Sequence, residues 1–197
     1  MAIDRKKAIE SFSKIKVKGN EEGLIPGFGV MIQFLPANFW NTFAEKLLKV
    51  AGDKYGEVEA GLLRAASECG YHTGWGIINS EEFQAIIGPM IEKAPEDVLH
   101  GAYAVFTAFG WANSEIVELV PGQKMVVRAH DYYESELKDT FLLKKNCAYM
   151  VRGVSGAFMD LAYGPAYPNG NGTFECAQTK GIETGDEYGE FVVTRKK

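Results

Sequence analysis

The chain has 197 residues, 46% hydrophobic, 24% charged and 12% aromatic, which suits one folded domain able to bury its own core. A net charge of -5 argues against a nucleic-acid partner, because there is no basic field to displace counterions from phosphate. The three cysteines Cys69, Cys147 and Cys176 form no CxxC or CxxH pair, which argues against a disulfide framework and for a reducing compartment.

The elements follow in chain order. Residues 1–23 are charged and predict a short helix followed by a loosely held strand. Phe28–Leu35 (FGVMIQFL) is rich in strand formers between Pro26-Gly27 and Pro36, and predicts a strand. Phe39, Trp40, Phe43, Ala44, Leu47 and Leu48 recur at the spacing of one helical face, with Gly52 placed to end it. A second helix is predicted over Glu57–Cys69, with Gly70 after it. Ser80 reads as the N-cap of a third, with Glu81 and Glu82 in its first turn. Pro95 opens a fourth, which carries Leu99, Ala102, Tyr103, Phe106 and Phe109 and stops at Gly110.

Beyond Gly110 the hydrophobic period changes. Trp111–Val120 and Lys124–Ala129 read as strands joined at Pro121-Gly122. Asn146–Tyr163 returns to helical spacing, with Met150, Val154, Phe158 and Leu161 on one face and Gly164-Pro165 at its end. Thr173–Thr179 and Tyr188–Thr194 read as a closing antiparallel pair. The loop Gly164–Gly172 is the most breakable segment. Residues 1–11 are polar, with no apolar stretch behind them, and no window approaches the roughly 18 apolar residues of a membrane span. The expectation is a cytoplasmic protein with no membrane contact, forming one domain over 1–197. Its first part, 1–110, is mostly helical, and 111–197 is sheet plus helix.

The order hairpin, helix with close-set glycines, hairpin resembles domains of the 4-vinyl-reductase type. The resemblance lies in Asn146-Cys147-Ala148-Tyr149-Met150-Val151-Arg152-Gly153-Val154-Ser155-Gly156, a helix that starts near a cysteine and carries a Gly-x-x-Gly step. It continues in Phe174–Gly181 and in the turn and strand Gly185-Asp186-Glu187-Tyr188-Gly189-Glu190-Phe191-Val192-Val193. The resemblance covers the C-terminal half well, and the N-terminal helices only in layout. It implies an α+β, two-layer fold: N-terminal helices, a twisted antiparallel sheet and a long C-terminal helix packed on that sheet. Relatives of this type include hydrocarbon-binding proteins, sensor domains of aromatic-responsive activators and vesicle-tethering subunits, so the fold alone does not fix a function.

Sensor-type members hold a structural zinc through a cysteine at the start of the long helix, a Glu-x-x-Cys and a further cysteine across the terminal hairpin. Cys147 matches the first position, but Gln178, Gly181 and Gly189 stand at the others. One ligand cannot hold a tetrahedral zinc, so no metal and no cofactor are expected.

Tyr71-His72-Thr73-Gly74-Trp75-Gly76 reads as a glycine-broken aromatic segment between two helices. Sensor domains hold a phenolic hydroxyl with a His and a Trp inside an apolar wall. His72 with Trp75 or Trp111 offers the same chemistry, with Tyr103, Phe106 and Tyr132 as further wall residues. The bland alternative makes His72 and Trp75 ordinary core or turn residues. His130-Asp131-Tyr132-Tyr133-Glu134 offers an acid–base cluster, although neighbours on a strand alternate faces and a solvated strand end explains it as well. His100, inside an amphipathic helix, suits a satisfied surface position. Cys147 near a helix N-terminus has the placing of a lowered-pKa thiol, against the reading of a small core residue. Gly153 and Gly156 suit close helix packing rather than a phosphate cradle, and no P-loop, GxGxxG or HExxH is present.

Two readings follow. The first is a homodimeric binding protein that encloses a small hydrophobic or aromatic molecule as sensor or carrier. The second is a small reductase or hydrolase acting on a ring-containing substrate through Cys147, His72, His130 and Asp131. A ligand-free assembly subunit is a third arrangement compatible with the layout.

Overall fold

A computed structural model describes residues 3–139 and 145–196. Helix α1 (Arg5–Phe12) is capped by the Asp4 side chain, which accepts from Lys7 N. A two-stranded ribbon follows, β1 (Pro26–Gly27) and β2 (Val30–Met31). Then come α2 (Ala37–Ala51), α3 (Tyr55–Ile78), α4 (Glu81–Ile86) and α5 (Glu96–Ala108). Hairpin β3 (Ala112–Val120) and β4 (Lys124–Tyr132) leads through a 3-10 segment (Tyr133–Asp139) towards α6 (Tyr149–Tyr163). Hairpin β5 (Phe174–Lys180) and β6 (Gly189–Arg195) closes the chain. The main sheet is antiparallel throughout, in the order β3-β4-β6-β5.

The α+β layering expected from the sequence is what the structure has. One face of the sheet, carrying Met125, Val127, Phe191 and Val193, packs on Val151, Val154 and Phe158 of α6 and on Leu99, Tyr103 and Phe106 of α5. A second cluster joins α1, α4 and α5 around Phe12, Phe83 and Val105. Ser80 caps α4 as expected, its hydroxyl accepting from Phe83 N at 3.2 Å.

Three local expectations are corrected. Phe28–Leu35 is not a strand; only Val30–Met31 pairs, and Phe28 and Gly29 take positive φ of 53° and 69°. Packing overrides propensity here: Phe28 is 1% exposed and meets Phe109 edge-on at 4.9 Å. No strand follows α1 before Pro26 among the described residues. The loop after α6 is also tied down rather than loose. Asp160, fully buried, accepts from Gly172 N and Phe174 N, each at 2.7 Å, and Tyr71 Oη accepts from Gly170 N at 2.9 Å.

The largest correction concerns α3. Gly70 does not end it; the helix runs 24 residues, through Gly70, Gly74 and Gly76. Those glycines admit neighbours rather than break the backbone. A Cβ on Gly70 would lie 2.9 Å from Val154 Cα, and one on Gly153 only 2.5 Å from Ala66 Cβ and 2.7 Å from Ser67 N. Helices α3 and α6 therefore cross at near backbone contact.

Gly153→Ala should destabilise the protein by about 1–3 kcal/mol in denaturant unfolding, because the rigid backbone of α3 has to move. Gly61→Ala, in α3 with nothing within 4 Å, should instead stabilise by about 0.5–1 kcal/mol.

Candidate functional site

The crossing of α3 and α6, roofed by α5, leaves an apolar cavity of about 70 Å³. Helix α3 lends Thr73, Gly74 and Ile77, α5 lends Ala102 and Phe106, and α6 lends Val154 and Phe158. Trp111, at the entry to β3, closes one side. Its ring stacks on Phe106 at 5.9 Å and 12° and meets Tyr133 edge-on at 5.9 Å. The polar atoms of the wall are few: Cys69 Sγ and Thr73 Oγ1 lie 3.8 Å apart. Such a lining suits apolar matter and offers little to orient it.

Of the residues singled out in the sequence, Phe106 and Trp111 line this space together. Tyr103 stands behind Phe106, buried, with its hydroxyl donating to Ser155 Oγ at 2.8 Å. Burial raises the Tyr103 phenol well above its ordinary value, so it stays neutral. His72 and Trp75 are not in a turn and do not line the cavity. They lie on the outer face of α3, where Trp75 stacks on Tyr167 at 4.6 Å and His72 Nδ1 is 3.0 Å from Tyr167 Oη. A continuous helix turns positions 72 and 75 away from the face that carries 70, 74 and 77. The wall residues missed in the sequence, Thr73, Gly74 and Ile77, repeat at helical spacing, a signal hidden by reading Gly70 as a stop.

The groups proposed for catalysis do not converge. Cys147 is fully buried, and burial with Glu183 and Glu134 nearby pushes its thiol upward, the opposite of the lowering expected at a helix start. His130 is exposed on β4, paired with Glu115 at 3.1 Å, and Asp131 is exposed beside it. His100 is half-buried on α5, where burial lowers its pKa.

Tyr132 belongs to a buried polar network at the start of α6. It donates to Glu183, whose Oε1 accepts from Gln178 Nε2 at 2.7 Å and from Cys147 N at 3.0 Å. Gln178 Oε1 accepts from Ala148 N at 3.2 Å. Glu134 accepts from Met150 N at 2.8 Å and Val151 N at 3.2 Å. Ala148, at the N-cap, has no side-chain acceptor, so the open amides of α6 are served by side chains from distant segments. The positions that the resemblance assigns to zinc ligands do not fit a metal. A Cβ at Gly181 would lie 2.8 Å from both Gln178 and Glu183, and one at Gly189 only 2.7 Å from Tyr132. Among the described residues, no three His, Cys, Asp or Glu are grouped to hold an ion. No helix among them is long and apolar enough to cross a membrane.

No family model matches the chain, and no curated protein matches it. Solved structures do. The phenol-responsive sensory domain of the transcription activator PoxR, crystallised with phenol, is similar with a TM-score of 0.72 at 10% identity, covering 99% of this chain and 92% of that one. A trafficking protein particle complex subunit 3 from Naegleria fowleri, covalently bound to palmitic acid, is similar at 0.53 and 12% identity, covering 82% of this chain and 95% of that one. At these identities the likeness shows a shared fold.

Burial raises the Glu134 carboxyl to about 8, against the lowering pull of the Met150 and Val151 amides. A carboxyl raised on folding stabilises fully below its unfolded pKa, and that contribution is lost as pH climbs through the folded one. Thermal unfolding should therefore show Tm falling by several degrees between about pH 5 and about pH 9. In Glu134→Gln this slope should flatten; an unchanged slope would assign the pH dependence to other groups.

Proposed function

We propose that the chain binds a small hydrophobic or aromatic molecule in the cavity between α3, α5 and α6, as a sensor or carrier. The observation that carries the reading is the apolar cavity walled by Phe106, Trp111 and Phe158, with few polar atoms in its lining. The shared fold with a phenol-responsive sensory domain supports it. The scattered positions of Cys147, His72, His130 and Asp131 weigh against the enzyme reading.

The cavity is smaller than the roughly 150 Å³ that admits benzene in an engineered core. At about 70 Å³, it must widen to take an aromatic ring. Trp111 and Met150 are the movable walls, since both also border a neighbouring cavity. The reading includes a homodimer, for which sedimentation equilibrium should return twice the chain mass.

The test is a titration with alkylbenzenes, following Trp111 fluorescence in a variant with Trp40→Phe and Trp75→Phe. A saturable change is expected, and Thr73→Phe, which fills the cavity, should weaken binding at least about tenfold with the fold retained. A strictly linear, non-saturating response in the parent would overturn the reading.

A further inference from the structure

A second cavity, of about 230 Å³, lies between α2, α3, the 3-10 segment and the start of α6. It meets the first at Cys69, Trp111 and Met150, which line both. Its wall is mostly apolar (Ala44, Leu62 and Ala65 are typical), with Asn41, Glu134, Cys69 and the hydroxyl-bearing Tyr133 and Tyr149 as its polar residues.

Asn41 is unusual there. It is 7% exposed, in the second turn of α2, and its Nδ2 donates to Tyr133 O at 2.9 Å. That bond fixes the amide, yet Oδ1 is buried with no hydrogen-bond partner among the described residues. Buried carbonyl oxygens are almost always satisfied, and one that is not calls for an explanation. Glu134 is already engaged, each of its oxygens accepting from an α6 amide.

We propose that this cavity is the head-group subsite for an amphiphilic ligand, whose hydroxyl donates to Asn41 Oδ1 while its apolar body runs along Leu62 and Met150 towards Trp111. The inference rests on the small-molecule reading above and narrows its ligand class to a neutral alcohol with an extended apolar body. A neutral donor suits the site better than an ammonium. The Glu134 carboxyl, raised to about 8 by burial, offers no full negative charge at neutral pH.

The experiment compares n-octanol with its isomer methyl heptyl ether, which has the same atoms but no donor. Calorimetric titration of the wild-type protein should show the alcohol bound about tenfold more tightly, the effect of one buried hydrogen bond. In Asn41→Ala that preference should vanish while the ether binds as before, which separates a lost acceptor from a disturbed fold. Should Asn41→Ala fail to fold, the wild-type ratio alone decides. Equal affinities in the wild type, or a preference that survives Asn41→Ala, would overturn the head-group site and leave alkylbenzene binding untouched. If neither compound saturates while alkylbenzenes do, the head-group site is likewise overturned; if alkylbenzenes fail too, the binding reading falls with it.

Discussion

The close crossing of α3 and α6 is the constraint on which the rest of the molecule depends. Gly153 lies against the backbone of Ala66 and Ser67, and Gly70 against Val154, so neither helix tolerates a methyl at the contact. With the two backbones this near, the larger side chains are displaced to either side of the contact. On one side Phe158 and Val154 meet α5 and frame the smaller cavity. On the other, Leu62 and Met150 face α2 and frame the larger one. Both cavities are thus by-products of one contact between small residues, and Trp111 divides them.

The buried polar groups have a structural explanation without reaction chemistry. Glu134, Gln178 and Glu183 look like an acid–base constellation in isolation, but each is engaged with an amide of the α6 start or with its neighbours. A carboxyl group satisfied by backbone amides is positioned as a cap rather than a base. Tyr132 is held in the same network, which is why a tyrosine flagged as a wall residue contributes to the sheet-to-helix junction instead.

Much of this was legible in the sequence, and what was hidden has physical causes. The hairpin turn at Pro121-Gly122, the Ser80 cap and the apolar stripe of α6 are local signals, and the structure follows them. The change of period at Gly110 separated the helical part from the sheet part, and the layering was what the resemblance implied. Gly70 misled because a glycine after an apolar stripe reads equally as a helix stop or as a close-packing site, and only the partner helix decides. That single ambiguity placed His72 and Trp75 in a turn and concealed the true wall at Thr73, Gly74 and Ile77. Phe28–Leu35 misled differently, because its aromatic was claimed by the α1–α4–α5 core. Asn41 had no signal at all, since an unpartnered amide is a property of its surroundings.

The start of α6 has a consequence for how the polypeptide is made. Its amides are served from one side by Glu134, which precedes the helix, and from the other by Gln178 and Glu183, which follow it. On the ribosome the helix is complete before its last two acceptors have been synthesised. Its first turn therefore stays open to water until the terminal hairpin docks, so the C-terminal residues act as a latch on a helix made earlier. A chain shortened before Gln178 would lose more than a sheet edge, because it would leave the central helix unfinished at its root.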